Sequence, residues 1–451
     1  MPKISSFQII LLAIFGALAV SGLIVFAVFV NNNNAPTIGP VTIWGTLDGS
    51  AFSSAVSRFA ETDKNFSAVT YVQRDPSSYQ ANLTAALANG QGPDLFLMRQ
   101  DSVVVDAGKV RPVSYDLLSP QSFQNTFVDS ALPFLGRQGV IAIPILVDPL
   151  VLYYNRDTLS SAGYANPPRH WDEIDGMVEK ITKRDDAGNI LKATIAFGEF
   201  RNVRNAKEIV SALMLQAGGI ITRTTAEGPI ESMLAQGYAA STDAALRFYT
   251  KYSDPSNRVQ YTWNRSLPDS RQAFTAGDLA LYIGFASERN FIATTNPNLN
   301  FGIASLPQIR RAATDDAADI DFAHVYGLAQ PLITFDLTRM TSASTIAPLI
   351  AGTNFSSILA QSLGMASARR DVLQFTIENA QKSRATHSTA PSVEEIVALD
   401  SAISRAWTDP DPVKTGAAFQ AMIEAIVNGS LRASEAVVRA DATITQITAR
   451  Q

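Results

Sequence analysis

Residues 4–30 contain no charged side chain, whereas from residue 41 onward the chain alternates apolar and polar positions with short periods. At ~1.5 Å per helical residue, positions 9–30 alone cross the ~30 Å hydrocarbon core of a bilayer, so the run predicts an N-terminal transmembrane helix. Lys3 and the amino terminus are the nearest positive charges and are expected to stay inside, which places the rest of the chain outside the membrane. A removed signal peptide is the alternative reading. No small-residue cleavage site follows Val30, and a cut after Ala19 would leave an apolar tail, so an intact single-pass anchor is expected over residues 1–30. Residues 31–40, rich in Asn and Pro, form a polar linker.

The body opens with the β-rich run Val41-Thr42-Ile43-Trp44, a turn over 45–49, and a helix whose apolar face is Phe52, Ala55, Val56 and Phe59. A second strand over 69–72 leads to a helix carrying Tyr79, Leu83 and Leu87, stopped by Gly90, and then to a buried strand over 94–98. Strands alternating with helices imply a mostly parallel sheet covered on both faces. Such sheets bind ligands beyond the carboxyl ends of their strands, which points to the loops after Trp44 and Met98. Farther on, apolar runs over 140–145 and 150–154 are separated by 146–149. Helical stripes follow (Ile209, Val210, Leu213, Met214; then Ala245, Phe248, Tyr249, Tyr252), together with a strand over 279–285 and a helical C-terminus. The pattern predicts a second α/β lobe.

Composition narrows the function. A length of 451 residues at 46% hydrophobic supports two lobes with cores of their own. A net charge of −5 without a basic stripe excludes a nucleic-acid partner by the usual phosphate-neutralising route. There is no cysteine, so no disulfide, thiolate metal site or lipid-bearing thiol, and His170, His324 and His387 are widely spaced; no cofactor and no metal site is expected.

An exported two-lobed body suggests a small polar ligand. Carbohydrate asks for aromatic faces against its C–H surfaces and for carboxylates, amides or arginines on its hydroxyls. Trp44 and Asp48 flank the first turn, although Trp44 could pack in the core and Asp48 could cap the helix after it. Asp94 follows Gly92-Pro93 and is equally a turn residue. Asp148, in an apolar context before Pro149, needs a reason to be there, and Trp263 lies among polar residues in an irregular stretch. Tyr282 and Gly284 share one strand face, where the glycine would admit a ligand to the backbone. Hydrolysis would require two paired carboxylates, and neither a G-x-S-x-G nor a phosphate-binding G-x-x-x-x-G-K motif occurs.

The order of Val41-Thr42-Ile43-Trp44-Gly45, Gly92-Pro93-Asp94-Leu95-Phe96, Ile143-Pro144-Ile145-Leu146-Val147-Asp148, Tyr153-Tyr154-Asn155, the segment around Trp171, Ala273-Phe274, Asn300-Phe301-Gly302-Ile303, Arg369-Arg370-Asp371 and Trp407-Thr408-Asp409-Pro410 resembles the family 1 extracellular solute-binding proteins. These are the maltose-binding-like sugar receptors of ABC transporters. The resemblance implies a type II, two-lobed periplasmic-binding-protein-like fold, with lobes over 41–147 plus 301–365 and 148–300 plus 366–451. It implies crossings near 145–150, 301–307 and 364–369, and a cleft lined by Trp44, Asp48, Asp94, Asp148, Trp263, Tyr282, Phe285, Tyr326 and Arg369. It further implies capture of a sugar or oligosaccharide for ABC permease subunits, with hinge closure and no reaction. The chain departs from the family in lacking a lipidated cysteine and in reading Ala366-Ser367-Ala368 where relatives often carry proline. A polyamine would also suit the acidic set; a surface-anchored glycan hydrolase and a binding module acting as a sensor are the other readings.

Overall fold

The computed structural model describes residues 38–224, 229–311, 318–332, 336–387 and 390–449. The expected spanning helix and most of its linker lie outside the described residues. Among those described, no single helix is long and apolar enough to cross a membrane.

The described residues form thirteen strands: β1 Val41–Gly45, β2 Val69–Gln73, β3 Leu95–Arg99, β4 Ile143–Asn155, β5 Lys183–Arg184, β6 Ile190–Ile195, β7 Thr222–Thr224, β8 Ile230–Ser232, β9 Leu279–Phe285, β10 Phe301–Ser305, β11 Asp321–Ala329, β12 Ala366–Ser367 and β13 Ser404–Arg405. The helices that shape the architecture are α1 (Gly49–Ala60), α2 (Tyr79–Ala88), α3 (Ala206–Gln216), α4 (Leu337–Ile350), α5 (Thr353–Leu363) and α6 (Val393–Ala402).

The sheet runs in the order β2-β1-β3-β11-β4-β9-β6-β5. β1, β2 and β3 are parallel, as the alternating pattern implied, but β11 enters antiparallel to β3 and to β4, and β4 is antiparallel to β9. The sheet is therefore mixed, not mostly parallel. The chain leaves the first lobe and returns to it, and β11 is the returning strand.

The two apolar runs expected over 140–145 and 150–154 are one strand. β4 is buried along nearly its whole length and continues through Pro149. A proline lacks the N–H that a ladder needs. Here it sits at a handover: β11 and β12 pair with residues up to 149, whereas β9 and β10 pair with residues from 150 onward. β4 thus threads both lobes, and its change of partners marks the waist between them.

Two apolar clusters hold the halves. On one face of β1–β3, Phe52 of α1 stacks on Tyr71 with ring centroids 4.1 Å apart, and Phe355 of α5 closes over Phe52, Phe59 and Phe66. The larger cluster covers the other face and fills the second lobe, including Tyr153, Trp171, Phe197, Tyr249, Trp263 and Phe274. At Gly45 a Cβ would run into Leu97 and Tyr71, so the end of β1 packs this tightly only without a side chain.

Candidate functional site

The waist gathers polar groups at the carboxyl end of β3, in one of the two loops to which the alternating pattern points. β3 ends at Arg99, and the polar run Gln100-Asp101-Ser102 follows directly. Arg99 grips the carboxylate of Asp101 in two hydrogen bonds, one from Nε at 2.8 Å. Asp101 is buried; burial works against its ionisation, but the Arg99 guanidinium outweighs that cost and holds the carboxyl below the usual carboxylate range.

Gln100 orients His324 of β11. Its Nε2 lies 3.1 Å from His324 Nδ1, and its Oε1 accepts the Val325 N–H at 2.8 Å. An amide donating to Nδ1 leaves the ring proton on Nε2, which points toward Glu208 of α3 at 3.8 Å. Burial and the nearby Arg99 depress the imidazole's basicity, so it stays neutral. Phe285 stacks on the same ring with centroids 4.5 Å apart.

The second lobe presents an opposing wall. Lys207, near the start of α3, pairs with Asp409, donates to Thr415 Oγ1 at 2.9 Å and lies 5.1 Å from the Trp407 ring centre. Gln100, Asp101, His324, Lys207, Glu208, Trp407 and Asp409 line one gap whose free volume is about 10 Å³. The two walls meet here.

Several residues expected from the sequence are in this region. Asp148 stands opposite His324 in the β4–β11 ladder, Tyr326 is the ladder partner of Arg99, and Phe285 stacks as described. Asp148 Oδ2 accepts the Ser287 hydroxyl at 2.6 Å and Oδ1 the Ser287 N–H at 3.0 Å. Burial pushes its carboxyl up to about 7 despite these bonds, and burial pushes the Tyr326 hydroxyl up to about 12. Asp48 caps α1 through Ala51 N at 2.8 Å, the alternative the sequence left open, and remains exposed. The face of Trp44 is covered by Arg74, with the guanidinium carbon 3.7 Å from the ring centre. Trp44 opposes Phe96 in the ladder, three positions from Arg99, so it projects from the other side of the sheet.

None of the nine expected residues lines the gap itself, and four more besides Trp44 are held in other places. Asp94 sits at the opposite end of β3, bonded to Thr42 N at 2.7 Å and to Arg339 Nε at 2.6 Å. Trp263 is 1% exposed inside the second lobe, its indole N–H given to Asn202 at 3.1 Å; a loop aromatic became core because residues 252 and 262–263 bond to each other and draw the loop inward. Tyr282 is buried with its hydroxyl on Glu288, and its ring fills the space above Gly284 that a ligand would need. Arg369 pairs with Asp371 and lines a separate cavity built mostly on the first lobe. Sequence reading missed Arg99, Gln100, Asp101, His324, Lys207, Glu208, Trp407 and Asp409. Arg99 to Asp101 carried a signal, since a polar triplet directly after a buried parallel strand marks a ligand loop. Residues 207 and 409 lie far from it in sequence and carried none.

Comparison with known proteins bears on this geometry. The family description "bacterial extracellular solute-binding protein" matches residues 54–336, more than half of the chain. Proteins of Brucella abortus and Brucella suis named as binding proteins are 22% identical over 232 residues, which is 50% of this chain, and the chain spans about half (52%) of the length of these relatives. In overall fold the chain is similar to a cyclic α-maltosyl-1,6-maltose binding protein from Arthrobacter globiformis (TM-score 0.71, 16% identity, 92% of this chain and 100% of that one). It is also similar to a maltose/maltodextrin-binding domain from Bdellovibrio bacteriovorus bound to maltotriose (TM-score 0.65, 17% identity, 91% and 100%). A solute-binding protein of Thermotoga lettingae bound with α-D-tagatose has TM-score 0.65 at 19% identity, with 91% and 100% covered. With a two-lobed α/β fold, a polar waist at the carboxyl end of β3 and a family match over most of its first two thirds, the chain belongs to the bacterial extracellular solute-binding proteins.

Proposed function

We propose that this protein captures a sugar or oligosaccharide between its lobes outside the membrane and delivers it to an ABC permease. The observation that carries the reading is the waist itself: Gln100, Asp101 and His324 from the first lobe face Lys207, Glu208, Trp407 and Asp409 from the second across one gap. Carboxylates, an amide and an aromatic face are the groups that bind vicinal hydroxyls and C–H surfaces. The sugars bound by the structural neighbours support the same class of ligand. With so little free volume, the described arrangement corresponds to closed lobes, and ligand entry requires them to part by hinge motion around β4.

The lobes divide in this reading into 41–147 with 306–365 and 148–305 with 366–451; residues 301–305 join the second because β10 pairs only with the 151–155 half of β4. The apolar run over residues 4–30 serves as an uncleaved tether. A glycan hydrolase would need a proton-donating carboxyl free in the gap; burial raises the proton affinity of both Asp148 and Asp409, but Asp148 is turned onto Ser287 and Asp409, which lines the gap, is held by Lys207 and Thr415.

Thermal-shift measurement against maltotriose, tagatose and spermidine tests the proposal. A ligand that binds the folded state raises the melting temperature. A rise with an oligosaccharide that shrinks in Asp101→Asn and Lys207→Met is expected; a rise with spermidine alone, or with none of the three, would overturn the sugar reading.

A further inference from the structure

We infer that the chain carries a second ligand site, built mostly on the first lobe and distinct from the waist, that takes an amphipathic monocarboxylate. A cavity of about 450 Å³ opens between α4 and residues 111–118, with Leu95, Ile143 and Leu328 as its floor. Leu95 and Leu328 lie at the ends of β3 and β11 away from the waist; β3 alone separates Leu95 from Arg99 by roughly 13 Å at ~3.3 Å per residue.

The cavity arises from the sequence of α4. Where that helix faces the sheet, Ile346 and Ile350 fill one side, but Ala343, Ala347 and Ala351 stand where larger side chains would close the layer. Protein interiors rarely leave such space empty, because each unfilled volume forfeits dispersion and burial. A volume of several hundred Å³ with apolar walls and few polar groups is the form of a small-molecule pocket.

Charge selects the ligand. Arg111 and Arg369 both line the cavity. Arg369 is matched by Asp371 at 2.8 Å. Arg111 has no carboxylate within ion-pairing distance among the described residues; one guanidinium nitrogen donates to the Leu332 carbonyl at 3.1 Å, and its Nε is buried with no acceptor. An apolar cavity with one uncompensated guanidinium fits a molecule with a hydrocarbon or aryl-alkyl body and a single carboxylate. Leu117, 82% exposed, also lines the cavity and extends its apolar surface to solvent.

Isothermal titration of the full chain with 4-phenylbutyrate tests this, with any detergent or lipid carrier titrated alone as the blank. Saturable binding is expected, weakened about tenfold in Arg111→Gln, since a charge-assisted hydrogen bond is lost. The neutral analogue 4-phenylbutanol should bind wild type about as weakly as the acid binds that variant. Ala347→Phe fills the cavity from within, and Ser344→Trp blocks it from an exposed position that folding tolerates; both should abolish binding. The response of Ser344→Trp to maltotriose should equal that of wild type, which separates this site from the waist. Absence of saturable heat with wild type, or equal affinity in Ser344→Trp, overturns the inference.

Discussion

His324 and Asp148 stand directly opposite each other across the β11–β4 ladder, yet each is bonded elsewhere: Asp148 to Ser287, His324 to Gln100. The two lobes therefore draw on adjacent buried polar groups for different contacts. Asp148 ties the waist to the loop after β9, while His324 is oriented by the loop after β3.

The raised proton affinity of Asp148 gives a signed pH dependence. Its folded pKa of about 7 exceeds the ordinary 3.8, so the folded state binds the extra proton, and stability from this group is present at low pH and lost as pH rises through 7. Asp148→Asn keeps both bonds to Ser287, whose hydroxyl can turn from donor to acceptor. Denaturant unfolding should find the variant gaining on wild type between pH 5 and pH 8, by at most about 3 kcal/mol. Parallel pH profiles would show that Asp148 is ionised throughout.

Asp321 and Asp400 form a buried acidic pair. Each keeps one oxygen without a hydrogen-bond donor, and burial raises the proton affinity of both, that of Asp400 to about 7. One proton shared between the orphan oxygens would satisfy both. Infrared difference spectra at neutral pH should contain a protonated-carboxyl C=O band that Asp400→Asn removes. A spectrum with carboxylate bands only would place a cation or water there instead.

Trp263→Ala separates core from cleft. From the sequence alone this substitution is expected to abolish ligand response at little cost in stability. The structure reverses that expectation: removing a fully buried indole should cost about 3–5 kcal/mol in urea unfolding. Under conditions where the variant is still folded, its affinity for a waist ligand should stay near wild type.

Asp101→Asn probes the waist directly. It removes a buried charge from the Arg99 guanidinium, and because the Arg99 side chain is 39% exposed the cost should be modest, about 1–2 kcal/mol. Because the carboxyl's folded pKa is depressed, the wild-type contribution persists at neutral pH and is lost only on acidification below the ordinary carboxylate range. Titration calorimetry with a bound oligosaccharide should find weaker binding in this variant. Unchanged affinity would remove Asp101 from the site.

Much of the first lobe was legible because its signals are local. The period-two run at 41–44, the helical face from Phe52 to Phe59 and the stop at Gly90 each depend on neighbours within a dozen residues, and the strands and helices stand where those periods put them. β4 was harder. Its apolar run is interrupted by Asp148-Pro149, which locally reads as a break, and only the exchange of partner strands at that point explains why the strand continues.

The chain's sequence alone determined the α/β class and the two-lobed organisation, since hydrophobic periodicity is a property of contiguous residues. Tertiary structure alone decided which polar groups share the waist. Asp101, Lys207, His324 and Asp409 are separated by scores of residues and meet only because β4 and β11 carry the chain through both lobes. It also decided that Trp263 and Tyr282 are core, because burial depends on what packs against a side chain, and that information lies in distant segments.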